Sequence, residues 1–119
     1  MTVINSSLTR GSIVSMYKGQ PPTTLTTEYT APANTSNVPA PNATAVITEI
    51  TLCNNSSAQA TVQIVAGGVN LLAAAYSMSA GQTVILGDLK TTLKAGETIQ
   101  VQQGTASAIS ITISGMEVQ

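Results

Sequence analysis

The chain has 119 residues with a formal charge of -1, and only 8% of its side chains are charged, against about 25% in an average globular chain. That excludes some classes at once: the four cations, Arg10, Lys18, Lys90 and Lys94, are too scattered for a nucleic-acid surface, and a 43% hydrophobic composition argues against disorder. No run is long and apolar enough to span a bilayer, and the start lacks a charged stretch followed by an apolar one, so neither membrane insertion nor a signal peptide is expected.

One domain is the economical count, since a chain of this length buries roughly two-thirds of its unfolded surface. Phe and Trp are absent, and the aromatics are Tyr17, Tyr29 and Tyr76. Val, Ile, Leu, Ala and Met must fill the core, and such side chains suit two packed sheets. The surface is then Ser, Thr, Asn, Gln and Ala. A free monomer usually keeps more charge than this for solubility, so the composition points to a protein packed among neighbours, with a secreted adhesin-like domain as the alternative.

From the N-terminus, TVINSSLT and SIVSMYK are two short mixed segments separated by Arg10 and Gly11. They read either as an arm that pairs with a neighbouring subunit or as a plain edge strand. Residues 1–25 are taken as this N-terminal segment and 26–119 as the folded domain. Pro21 and Pro22 end any regular pairing. Thr23 to Thr30 is a Thr-rich strand with Leu25, Thr27 and Tyr29 in one alternation. The Pro-rich loop 31–42 follows. A loop of about a dozen residues is uncommon in a compact domain unless it binds something, which makes it a candidate contact.

The central hairpin is the clearest feature. In AVITEITLCN, Val46, Ile50 and Leu52 share one face and Glu49, Thr51 and Cys53 the other. After the turn at Asn55 to Ala58, Ala60, Val62 and Ile64 alternate with Gln59, Thr61 and Gln63. Gly67 and Gly68 supply another reversal. NLLAAAYSM has helix-forming residues, yet its length and flanking turns favour a strand pair. Two corners then echo each other, Ser79-Ala80-Gly81-Gln82-Thr83-Val84 and Lys94-Ala95-Gly96-Glu97-Thr98-Ile99, each with Gly where the chain reverses. Val84 and Leu86 form one face between them, while Leu89 and Leu93 mark the following connection. Ile99 and Val101 point inward, as do Ile109, Ile111 and Ile113, and a β-bulge at Gly115 is expected to bring Met116 and Val118 onto the same side. The pattern predicts an all-β, two-sheet sandwich, jelly-roll or immunoglobulin-like Greek key, of roughly eight strands.

Catalytic chemistry has little to stand on. There is no His, and Glu28, Glu49, Asp88, Glu97 and Glu117 show no paired spacing. No metal-ligand spacing and no phosphate loop is present, so no cofactor or metal is expected and the chain is read as non-enzymatic. The lone Cys53 sits inside a strand and reads as an inert thiol. A sugar platform usually needs exposed aromatics, and three Tyr are thin support for one.

The span from about Tyr29 to Val118, through YTAPAN, TAVITEITLCNNSSAQATVQI, LKAGETIQV and ISITISGMEV, resembles small bacteriophage virion proteins with β-sandwich folds. The resemblance implies a structural part of the head, neck, tail or fibre, built as a homo-oligomer. A decoration or cement protein on the assembled head is the first expectation, favoured as a trimer, with the major capsid protein or other virion proteins as partners, located in the virion and assembled in the host cytoplasm. The expected protein-interface residues are Val3, Ile4, Leu8 and Tyr17 in the N-terminal segment and Pro32, Val38, Pro39 and Pro41 in the loop. A carbohydrate- or receptor-binding module is the alternative from another class.

Overall fold

The computed structural model describes residues 11–33 and 43–118. Ten strands form in chain order: β1 (Gly11–Gly19), β2 (Thr26–Thr30), β3 (Ala43–Asn54), β4 (Ala60–Ala66), β5 (Val69–Asn70), β6 (Tyr76–Met78), β7 (Thr83–Leu86), β8 (Thr91–Lys94), β9 (Thr98–Gln103) and β10 (Ile109–Val118). All pairings are antiparallel. One sheet runs β1-β10-β3, with β7 and β8 sharing the far edge of β3; the other runs β2-β9-β4, with β5 and β6 sharing the far edge of β4. Each pair of short strands is thus one interrupted strand. Counting them so leaves the eight strand positions the alternation predicted, and their order, 1-8-3-6 facing 2-7-4-5, is that of a jelly roll.

The core lies between the sheets and is aliphatic, as the composition required. Ile47, Ile50, Leu52, Ile64, Met78, Leu93, Ile99, Ile109, Ile111 and Ile113 are fully buried. Each such side chain contributes about 1.5–3 kcal/mol on leaving water. In β4 and β9 the alternation holds as read: Val62 and Ile64 face in with Ile99 and Val101, while Thr61 and Gln63 face out with Gln102.

In β3 the alternation changes phase, because Ala45 and Ile47 are buried at one end and Ile50, Leu52 and Asn54 at the other. Val46 therefore lies on the outer face, not with Ile50 and Leu52 as expected. The cause is an extra residue, Thr48, at the point where Ser114 pairs with Glu49 and Gly115 with Ile47. Thr48 fills the irregularity itself: its hydroxyl donates to Ser114 O at 3.2 Å and its carbonyl accepts from Leu89 N at 2.9 Å. This second bond seats the connection 87–90 between β7 and β8. Leu93, expected in the connection, is instead the buried residue of β8.

Across the same point of β10, β1 inserts Met16 between Ser15 and Tyr17. Ser114 thus sits between two bulges on the neighbouring strands, Gly115 forms none, and β10 keeps its phase, which leaves Met116 facing outward at 38% exposure. Met16 occupies the space a side chain would need: a Cβ on Gly115 would stand 2.2 Å from Val46 O and 2.5 Å from Met16 Cε. A third bulge, at Glu28, puts Tyr29 opposite Ile99 and Thr27 opposite Gln100, so the two residues face opposite ways despite their spacing.

The predicted corners match in detail. In each, the N–H of the fourth residue donates to the carbonyl of the first, Gln82 to Ser79 at 3.0 Å and Glu97 to Lys94 at 2.9 Å, and the Gly takes positive φ, 74° at Gly81 and 85° at Gly96. The fourth side chain then accepts from the first N–H, through Gln82 Oε1 at 2.9 Å and Glu97 Oε1 at 2.7 Å. Gly67 and Gly68, both at positive φ, make the two-residue hairpin turn between β4 and β5.

Candidate interaction surface

Three buried polar side chains hold the connections between sheets. Asn54 donates through Nδ2 to the carbonyls of Ala58, Met78 and Ser79, and its Oδ1 accepts from the Ser56 N–H and hydroxyl. Gln103 donates to Pro21 O and accepts from the N–H groups of Ala108 and Ile109. Thr44 donates to Pro32 O at 2.8 Å. Each is sealed from water and fully engaged, so these groups serve the fold and leave no free polarity for a ligand. The loops around Asn54 and Gln103, at 20–25, 55–59, 79–82 and 104–108, contain no charged residue. This is the amide end of the sandwich.

The opposite end carries carboxylates. Tyr29 Oη donates to Glu117 Oε2 at 2.7 Å and links β2 of one sheet to β10 of the other. Burial, then the hydrogen bond and the charge of Glu117, push the Tyr29 phenol well above its ordinary range. Burial, then the charge of Glu28, also raises Tyr17. Tyr17, Tyr29 and Tyr76 are all half-buried against the core. No tyrosine stands free as a platform for a sugar ring.

The acidic residues do not converge. Glu49 is exposed on the outer face of β3, whereas Glu97 caps its own corner and lies under Gly67. Among the described residues no cluster of His, Cys, Asp and Glu has metal-binding geometry. Cys53 is half-buried, with Sγ 3.3 Å from Asn55 Oδ1. A shallow cleft of about 220 Å³ opens on the outer side of β4 and β9, where Thr61, Gln63 and Gln102 meet Ala74, Ala75 and Gly104. Its side chains are neutral, and the amides are already engaged, Gln63 with Asn70 Oδ1 and Gln102 with Thr23 O.

The two outer faces differ. On the sheet containing β9, Thr27, Thr61, Gln63, Gln100 and Gln102 form a neutral polar lattice. On the sheet containing β10, a row of side chains crosses four strands in register: Ile13 beside Met116, Met116 beside Val46, and Val46 beside Thr92. Ile13 is 87% exposed. Ile85, 62% exposed, is a further aliphatic on this face, opposite Thr51.

Of the expected interface residues, Val3, Ile4, Leu8, Val38, Pro39 and Pro41 lie outside the described residues. Tyr17 is on the edge strand β1 and turns toward the core, opposite Ile113. Pro32 is half-buried, its carbonyl held by Thr44. The sequence pattern does not show the aliphatic row, because Ile13 sits in an aperiodic segment and a bulge at Gly115 would turn Met116 inward. Topology nonetheless places the start of β1, the start of β3, the end of β8 and the end of β10 together, through the pairs Gly11 with Val118 and Ala43 with Lys94. The N-terminal segment and the Pro-rich loop therefore join the sandwich at the same end, beside the row. No family model matches the chain, and no match was found among the curated proteins.

Proposed function

We propose that this chain is a non-enzymatic structural protein of a bacteriophage particle, in the first place a decoration or cement protein of the assembled head. The observation that carries the reading is the aliphatic row on one outer face, at the end where the N-terminal segment and the Pro-rich loop join the domain. A surface with few charges and an exposed aliphatic row suits many modest contacts with neighbouring proteins. The jelly roll is an architecture used by viral shell proteins, which is a fold-level analogy and supports the reading as such. The mechanism is linkage: a homo-oligomer, taken as a trimer, that binds the assembled shell and not its dissociated subunits stabilises the shell by mass action.

The test is reconstitution. Heads stripped of this protein are heated with and without the purified chain, and disassembly is followed by light scattering. A rise in the disassembly temperature that saturates with added protein supports decoration; no shift with no binding overturns it. A neck, tail or fibre position is the alternative within the particle. A carbohydrate- or receptor-binding module is the alternative from another class, and the shallow cleft beside Gln63 and Gln102 is where its ligand would sit. Glycan-array binding lost on Gln102→Ala is its signature.

A further inference from the structure

Among the described residues, Ile13 and Met116 of the row are exposed, at 87% and 38%, and Val46 beside them is half-buried. What could cover the row is constrained by the chain itself. The segment before β1 carries Val3, Ile4 and Leu8 and has no charge before Arg10, so it is matched in chemistry to an uncharged aliphatic row. It joins the sheet at Gly11, which is still paired with Val118, beyond the position where Ile13 meets Met116. At that point β1 is extended and directed out past the row. Folding back over it within the same copy requires a full reversal at Arg10 and Gly11. Continuing onward requires none, and residues 2 to 9 fully extended reach about 26 Å.

From this placement we infer that residues 2–8 of one copy lie across the Ile13–Met116–Val46 row of a second copy. The donor surface and the acceptor surface differ, so the contact is head-to-tail and closes into a ring when the rotation permits, a trimer among them. The inference rests on the self-associating part of the proposed function and not on the particle the protein joins.

Two measurements test it, both on the full chain. In a Cys53→Ser background, copies with Val3→Cys and one affinity tag are mixed with copies with Met116→Cys and another tag, then mildly oxidised. A disulfide-linked species carrying both tags is expected. If a doubly substituted chain instead closes on itself and runs as an internally linked monomer, the exchange is overturned. In sedimentation velocity the unmodified chain runs as an oligomer, while deletion of residues 2–8 and Ile13→Glu each return a monomer with an unchanged β-type circular dichroism spectrum. A monomeric unmodified chain, or oligomers that survive both changes, overturns the inference. Absence of the chain from phage particles would sink the particle reading and leave these two results as they stand.

Discussion

The corners at Ser79–Val84 and Lys94–Ile99 are built alike and placed at opposite ends. Each presents its Gly N–H and the carbonyl of the next residue to one neighbouring residue: Gly81 and Gln82 bracket Asn54, and Gly96 and Glu97 bracket Ala31. The backbone frame is thus the same twice. The difference is in the bracketed side chain. Asn54 sends its amide into the loops on either side, whereas Ala31 makes no side-chain hydrogen bond and is buried as a small apolar contact. A four-residue turn of fixed geometry therefore specifies a corner, and the residue it docks on decides whether that corner also binds the neighbouring connections. At the amide end it does, with neutral groups alone. At the other end the cross-sheet tie falls to Tyr29 and Glu117.

The largest effect comes from making the first corner resemble the second. Asn54→Ala takes the amide donor from the carbonyls of Ala58 and Met78 and the acceptor from the Ser56 N–H, while Ser79 O keeps its turn bond from Gln82, and the change is expected to cost about 3 kcal/mol in urea unfolding. A loss under about 1 kcal/mol would mean that the backbone frame suffices at both ends.

The corner comparison also shows how far the sequence could be read. The repeated Ala-Gly pattern announced both turns, because positive φ demands Gly, and the strict alternation in β4, β9 and β10 fixed which side chains face the core. What stayed hidden was phase. Thr48, Met16 and Glu28 are extra residues whose positions depend on the strand alongside, and no local pattern marks them. The bulges at Thr48 and Glu28 reverse the faces beyond them, which parts Val46 from Ile50 and Leu52 and Thr27 from Tyr29, whereas β10 carries no extra residue, keeps its phase and turns Met116 outward. The docking roles of Asn54 and Gln103 were hidden for a related reason: an amide looks the same in sequence whether it meets water or three buried backbone groups.

Second in size is the cross-sheet tie of the carboxylate end. Tyr29→Phe is expected to cost about 1 kcal/mol, since the lost hydrogen bond is to a charged acceptor but is partly solvated. Its pH dependence separates the two ends further. The folded pKa of Tyr29 is raised above its ordinary value of 10.0, so its contribution is complete below that pH and is lost as pH climbs through the raised value. Tyr17 adds to the same alkaline loss, by burial and then by Glu28. Stability followed by chemical denaturation from neutral pH upward should fall above pH 10, and Tyr29→Phe should flatten the fall in part; an unchanged slope would contradict the assignment.

The frame itself predicts equality. A Cβ on Gly81 or Gly96 would meet nothing within 4 Å, so the cost of Ala at either is conformational, about 1 kcal/mol from the left-handed backbone. Matching unfolding midpoints for Gly81→Ala and Gly96→Ala confirm two equivalent corners; a clear difference breaks the comparison. Smallest of all is Glu97→Gln. The amide oxygen keeps the bond to Lys94 N, as Gln82 does at the other corner, and the change in stability should stay within about 0.5 kcal/mol. A larger loss would show that the charge at this end has a role the turn alone does not explain.

The proposed place of the protein in a particle is tested most directly by counting it. Quantitative mass spectrometry of purified phage particles gives the ratio of this chain to the major capsid protein. Head decoration predicts a copy number comparable to that of the shell protein. A few copies per particle would move the chain to the neck, tail or fibre, and its absence would contradict the account and leave the binding-module reading in its place.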